Sequence, residues 1–183
     1  MEWLLLFFFL PFVLTMMFFN WLEEKLFKFR DREKLEEGEI LLHENKFVEA
    51  QLFFTEKLNQ FPKSSRAYFY RSKANLMLKN YFSALYDIEQ SISFDNTVGE
   101  AYVIKGKVLY KLKEYDRAFL EFDKADWFFR SENPETLRWR GMARYCIGQI
   151  ENAINDFNKA VLLGDEDAAY ILRTKFEYIK KRG

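Results

Sequence analysis

The sequence predicts an all-α protein: a helical solenoid of four helix-turn-helix repeats plus a C-terminal capping helix, preceded by one N-terminal transmembrane helix. Three observations lead there. Ala50, Ala84, Ala118 and Ala153 recur at intervals of 34, 34 and 35 residues, each with an aromatic or Ile three residues before it and a large apolar residue four after it. Twelve residues before each of these alanines stands another small residue, Gly38, Ser72, Gly106 or Gly141. The chain also opens on a long apolar run without a charged side chain.

That run, residues 3–22, reads "WLLLFFFLPFVLTMMFFNWL". As a helix, twenty residues span about 30 Å, the thickness of a bilayer hydrocarbon core. Its Leu, Phe and Val each favour insertion by roughly 0.3 to 0.6 kcal/mol, which outweighs Pro11, Thr15 and Asn20, while Trp3 and Trp21 suit the two interfaces. Glu2 at its start and "FNWLEEK" at its end do not fit a cleaved signal peptide. Residues 1–24 are therefore expected to form an uncleaved anchor with its flanks, followed by a juxtamembrane segment at 25–30.

Residues 31–165 carry the repeats, at about 31–64, 65–98, 99–133 and 134–165. Regular self-similarity at this period is the mark of a stacked array. Between the two small residues of each unit lies a short break, "HENK", "LKNY", "LKEY" or "IGQI", so each unit reads as helix, turn and helix. Small residues let two helix axes approach, and the aromatics beside them fill the grooves. The opening helix of the first unit, with Lys34 and Glu37 where apolar residues are expected, should be exposed or continuous with the anchor. The extra residue before the fourth unit falls in "FFRSENPET", where Asn133 can cap a helix and Pro134 can occupy its first turn. After Gly164, residues 166–183 give a capping helix and basic tail, with Ala168, Leu172, Phe176 and Ile179 on one stripe.

Over residues 31–165 this pattern resembles the tetratricopeptide repeat: the 34-residue period, the small residue in the first helix, the aromatic and Ala in the second, and Pro62, Asn96 and Asp165 at unit boundaries. The resemblance implies antiparallel helix pairs whose first helices line a concave groove that receives a protein or peptide. Carried onto this sequence, the groove would present Phe69, Tyr70, Lys73 and Met77 from the second unit. The third would add Val103, Lys107, Tyr110 and Lys111, and the fourth Arg138, Trp139, Met142 and Tyr145. Such a surface, aromatic with basic points, suits a peptide with bulky apolar anchors and some acidic residues. Co-chaperone members of the family grip the terminal carboxylate of heat-shock chaperones with Lys, Asn and Arg. The corresponding places here hold Leu35, Glu39, Tyr70, Glu100 and Ile104, or, one unit on, Phe69, Lys73, Ile104, Glu135 and Trp139. Neither register keeps that clamp, so no binding to the chaperone tail is expected.

Composition narrows the remaining classes. Lys plus Arg equals Asp plus Glu at 28 each, which gives no long-range field for nucleic acid, and no continuous basic stripe runs through the chain. One cysteine, Cys146, precludes an internal disulfide and a cysteine metal cluster. No phosphate loop, paired-histidine motif or nucleophile elbow occurs, so no catalytic residue, metal or cofactor is assigned and no small-molecule substrate is expected. His43 lies beside a turn as a solvated or capping residue, Cys146 as packing or groove lining, and the carboxylates read as scattered and solvated.

Lys25, Lys28, Arg30, Arg32 and Lys34 follow the apolar run and no Lys or Arg precedes it, which places the repeats in the cytoplasm by the positive-inside tendency. The expected protein is a single-pass membrane scaffold or adaptor, not an enzyme. An exported assembly factor of the cell envelope or lumen, or a regulatory subunit of an enzyme, would share the architecture.

Overall fold

The computed structural model describes residues 13–19, 21–22 and 35–176, which are helical apart from the connections between helices. Residues 13–19 and 21–22 are helical; the rest of the expected span and the juxtamembrane segment lie outside the described residues. Among the described residues no helix is long and apolar enough to cross a membrane.

Helix α1 runs through 35–43. It is followed by α2 (Phe47–Gln60), α3 (Ser65–Met77), α4 (Tyr81–Phe94), α5 (Gly99–Lys111), α6 (Tyr115–Phe128), α7 (Pro134–Cys146), α8 (Ile150–Leu162) and α9 (Glu166–Ile171). The pairs α1/α2, α3/α4, α5/α6 and α7/α8 are the four expected repeats. The capping element begins with α9, of six residues, which passes into a π-helical turn, Leu172–Phe176, the last described residues. Ala168 and Phe176 are buried there, whereas Ile179 lies outside the described residues.

The recurrent alanines mark the tightest packing. Ala50, Ala84, Ala118 and Ala153 are all 0% exposed, as are Phe54, Ile88 and Phe122, with Phe157 at 1%. The small residue of the first helix is small because the ring lies against it: a Cβ on Gly106 would stand 2.6 Å from Phe122 Cε1, and one on Gly141 would stand 2.9 Å from Phe157 Cε1. The second repeat solves the same contact differently, with Ser72 in the small place and the smaller Ile88 opposite. Each of these rings contributes roughly 2–3 kcal/mol by burial. The first repeat is no exception, contrary to its charged start: Leu35 is 1% exposed and joins Ala50 and Phe54 in the core, while Glu36, Glu37 and Ile40 face solvent.

All four turns within repeats share one geometry. Asn45, Lys79, Lys113 and Gly148 have φ of 59°, 62°, 65° and 83°. In each, the amide of the next residue bonds the carbonyl five residues back: Lys46 to Leu41, Asn80 to Asn75, Glu114 to Leu109 and Gln149 to Arg144, at 2.8–2.9 Å. This left-handed C-terminal cap satisfies the orphan carbonyls of the first helix and turns the chain sharply into the second. Between repeats, Ser64 caps α3 by accepting from Ala67 N, and Asn133 caps α7 by accepting from Thr136 N at 2.8 Å with Pro134 in the first turn, as the sequence implies.

The carboxylates are not all solvated, which corrects the sequence reading. Arg71, Lys105 and Arg140 occupy one place on the first helices, and Asp87, Glu121 and Asp156 one place on the second. Arg71 forks onto Asp87 with Nε donating at 2.9 Å and Nη2 at 2.6 Å, and its Nη1 donates back to Thr55 of the preceding repeat at 3.2 Å. Lys105 meets Glu121 at 3.2 Å and Glu89 of the preceding repeat at 3.5 Å. Arg140 donates to Asp156 and, through Nη1, to Asp126 at 2.7 Å and Asp123 at 3.0 Å, both in the preceding repeat. Asp87 is 2% and Asp156 4% exposed. Burial alone would lower the pKa of the Arg140 guanidinium; its hydrogen bonds to Asp156 and the charges of Asp156, Asp126 and Asp123 outweigh that and hold it above the ordinary value. The first repeat has Glu37 and Phe53 in these two places and carries no rung of this ladder.

Candidate protein-binding groove

Successive first helices touch, α3 with α5 and α5 with α7, while no comparable contact joins α2 to α4 or α4 to α6. The stack is therefore tighter along its first helices, which places them on the inner side of the curve. Ten of the twelve groove residues read from the sequence lie part-exposed or exposed; Phe69 and Val103 are at 9% and 6% exposure, within the packing between repeats.

Tyr70 stacks on Phe54 at 5.4 Å, which fixes its ring across the first two repeats. Lys73 lays its ammonium 5.5 Å from the centre of Phe69 and 5.9 Å from that of Tyr70. Arg66 pairs with Glu39 of the first repeat at 3.2 Å and lies beside the Tyr70 ring, two groove partners that the sequence reading missed. Their only sequence signal is opposite charge 27 residues apart. The phenol of Tyr70 is held above its usual pKa, first by burial and then by its hydrogen bond with Glu39. Met77 ends α3 more than half exposed.

Further along, Trp139 is the centre of the surface. It stacks on Phe122 at 6.1 Å and meets Tyr110 edge-on at 5.4 Å. Lys107 and Lys111 lie 5.7 and 5.9 Å from its ring. Lys107 also pairs with Glu135 at 2.6 Å, and Arg138 with Asp165 at 2.9 Å and Asp167 at 3.3 Å. Lys73 and Lys111 have no carboxylate partner among the described residues. The Tyr110 hydroxyl is 3.5 Å from Cys146 Sγ, so the cysteine lines the groove, and burial first, then Cys146, pushes that phenol well above its usual range. His43 is exposed beside its turn and takes no part.

Met142 and Tyr145 form the C-terminal end of the groove. There Phe176, which the sequence reading placed on the capping stripe alone, meets Tyr145 edge-on at 5.4 Å, and Lys175 lies 5.1 Å from the Tyr145 ring. Chemically the surface offers flat aromatic faces with ammonium groups held over them, of which those of Lys73, Lys111 and Lys175 have no carboxylate partner among the described residues. It can accept anions and apolar side chains together.

No model of a known protein family matches the chain. Over 121 residues, 66% of its length, it is 30% identical to Hsp70-Hsp90 organizing protein 2 of Arabidopsis thaliana, of which it spans 20%. Its fold is similar to that of MamA 41-end from Desulfovibrio magneticus RS-1, with a TM-score of 0.71 and 20% identity over 83% of this chain and 85% of that one. It is likewise similar to YrrB, a TPR protein with an unusual peptide-binding site, with a TM-score of 0.67 and 19% identity over 81% of this chain and 77% of that one. By period, helix pairing and likeness to these solved structures, residues 35–176 fold as an all-α, TPR-like helical solenoid.

Proposed function

We propose that the chain is a membrane-tethered scaffold that recruits a protein or peptide through the inner face of its repeats. The observation that carries this reading is the pair Lys73 and Lys111, cations without a described carboxylate partner, held over Tyr70 and Trp139. Each is spread on an aromatic face, a disposition that suits an acidic, apolar-anchored segment. The likeness to an Hsp70-Hsp90 organizing protein supports a scaffolding role, but not that relative's ligand, because the clamp places hold Leu35, Glu39, Tyr70, Glu100 and Ile104. Calorimetry with a heat-shock chaperone tail peptide should give no binding heat.

Residues 3–22 hold the protein in a membrane, with the repeats on the cytoplasmic side, in this proposal; the support is the charge-free apolar run and the cations after it. Alkaline carbonate extraction should leave the protein in the pellet, and protease added outside intact cells should spare the repeats. Release by carbonate would remove the anchor from the reading. For the groove, the test is cross-linking capture from the native membrane, run beside a Lys73→Glu, Lys111→Glu variant whose helical circular dichroism is unchanged. A partner lost in the variant supports the groove, and one retained by both moves recruitment elsewhere.

A further inference from the structure

We propose that the small apolar cavity at the C-terminal end of the groove is the seat for one aromatic side chain of the recruited partner. This rests on the groove reading above and says which chemical group the groove recognises.

The first observation is a comparison between repeats. The buried ring of the second helix is covered, in the first and third repeats, by an aromatic from the first helix that follows: Phe54 by Tyr70 at 5.4 Å and 20° between planes, and Phe122 by Trp139 at 6.1 Å and 21°. Phe157 holds the same place in the fourth repeat, and in α9, which follows it, the place of Tyr70 and Trp139, counted from the capping residues Ser64, Asn133 and Asp165, falls to the smaller Ile171. The ring that covers Phe157 is Phe176, brought in by the π-helical turn, but that ring lies 49° from parallel at 5.8 Å. Among the described residues no ring therefore stacks parallel on Phe157.

The second observation is the space itself. A cavity of about 140 Å³ is lined by Phe157, Phe176 and Ile171 together with Tyr110, Met142 and Tyr145. An apolar cavity of roughly 150 Å³ stays dry and admits benzene, whereas sites for whole small molecules run to roughly 300–1,000 Å³. The space is thus of the size of one ring and too small for a cofactor. Three of its walls, Tyr110, Met142 and Tyr145, are groove residues, so the ring would enter from the groove. Lys175, over the Tyr145 ring, stands at the mouth with its ammonium placed for an acidic neighbour of that ring.

The test uses the full chain in lipid nanodiscs with 13C-labelled methionine methyls, so that Met142 reports on the cavity and Met77 on the other end of the groove. Benzene should shift the Met142 methyl saturably and leave Met77 unmoved. N-acetyl-phenylalaninamide should compete at least about tenfold better than N-acetyl-alaninamide, a difference of about 1.4 kcal/mol. Ile171→Phe, which fills the space, should abolish both effects while the circular dichroism is kept. No saturable shift, or an equal shift at Met77 or in the filled variant, overturns the proposal. Partner capture then separates this proposal from the reading it rests on. Capture lost in both Lys73→Glu, Lys111→Glu and Ile171→Phe supports both; loss in the lysine variant alone keeps the groove and overturns the seat; loss in neither overturns both.

Discussion

Arg140 reaches Asp156, 16 residues along the chain and on the partner helix of its own repeat, with Nε and Nη2 donating at 3.1 and 2.8 Å, while its Nη1 holds Asp123 and Asp126 of the repeat before. One guanidinium thus ties α7 to α8 and both to α6. Removing one partner of a buried pair costs about 3–5 kcal/mol when the other charge is left alone, and less here, because Asp156 keeps Arg144 at 2.8 Å and Asp126 keeps the Ser131 hydroxyl at 2.7 Å. Arg140→Ala should destabilise the fold by about 2–4 kcal/mol, read from urea unfolding. Arg117→Ala, which breaks an exposed pair with Glu114, should cost less than about 1 kcal/mol.

Gly106 and Phe122 should behave as a coupled pair. Gly106→Ala sets a Cβ 2.6 Å from the Phe122 ring, and overpacking of this kind costs about 1–3 kcal/mol. The second repeat shows the compensated form, Ser72 with Ile88. Gly106→Ser combined with Phe122→Ile should therefore cost less than the two single changes added, by about 1 kcal/mol in a double-mutant cycle.

Lys79 and Lys113 stand in the left-handed region at φ 62° and 65°. An L-residue with a Cβ is strained there and glycine is not, as Gly148 shows at the corresponding turn of the fourth repeat. Lys79→Gly and Lys113→Gly should each stabilise by about 0.5–1 kcal/mol, read as a rise in melting temperature.

Alkaline pH should weaken the fold through Tyr110. Its folded pKa is raised from the model-peptide value of 10.0, so the unfolded chain loses the phenolic proton first. The stabilisation is fully present below pH 10 and is lost as pH rises above it toward the folded pKa. In urea melts across that window, Tyr110→Phe should decline less steeply with pH than the unaltered protein. Parallel slopes would remove Tyr110 as a cause.

The fold was legible because its packing rule is written at fixed intervals: Ala50, Ala84, Ala118 and Ala153 need small side chains where two helices cross, and nothing else fits. The ionic ladder was written at the same intervals, at Arg71, Lys105 and Arg140 and again at Asp87, Glu121 and Asp156, yet it escaped notice. Charged residues read as solvent-facing until the helix pairing shows that two places 16 residues apart share one buried contact. Phe69 and Val103 illustrate the opposite limit. A residue on the inner side of a first helix can point along the groove or sideways into the next repeat, and helical spacing does not distinguish the two. Ala168, Leu172 and Phe176 do share one core, as their stripe implies, but spacing does not foresee the π-helical turn that sets Phe176 against Tyr145 and Phe157.

The absence of a rung in the first repeat divides the array into a soft end and a stiff centre. Repeat arrays open from wherever the bond between neighbours is weakest. Between the first two repeats that bond rests on packing, on Gln51 donating to Asn75, on Arg71 donating to the neutral Thr55 hydroxyl and on the part-exposed Glu39–Arg66 pair, with no buried carboxylate across the junction among the described residues. Amide protons of 35–60 should exchange with solvent well before those of α5 to α8, so the chain can fray at one end while Lys107, Trp139 and Tyr145 keep their places.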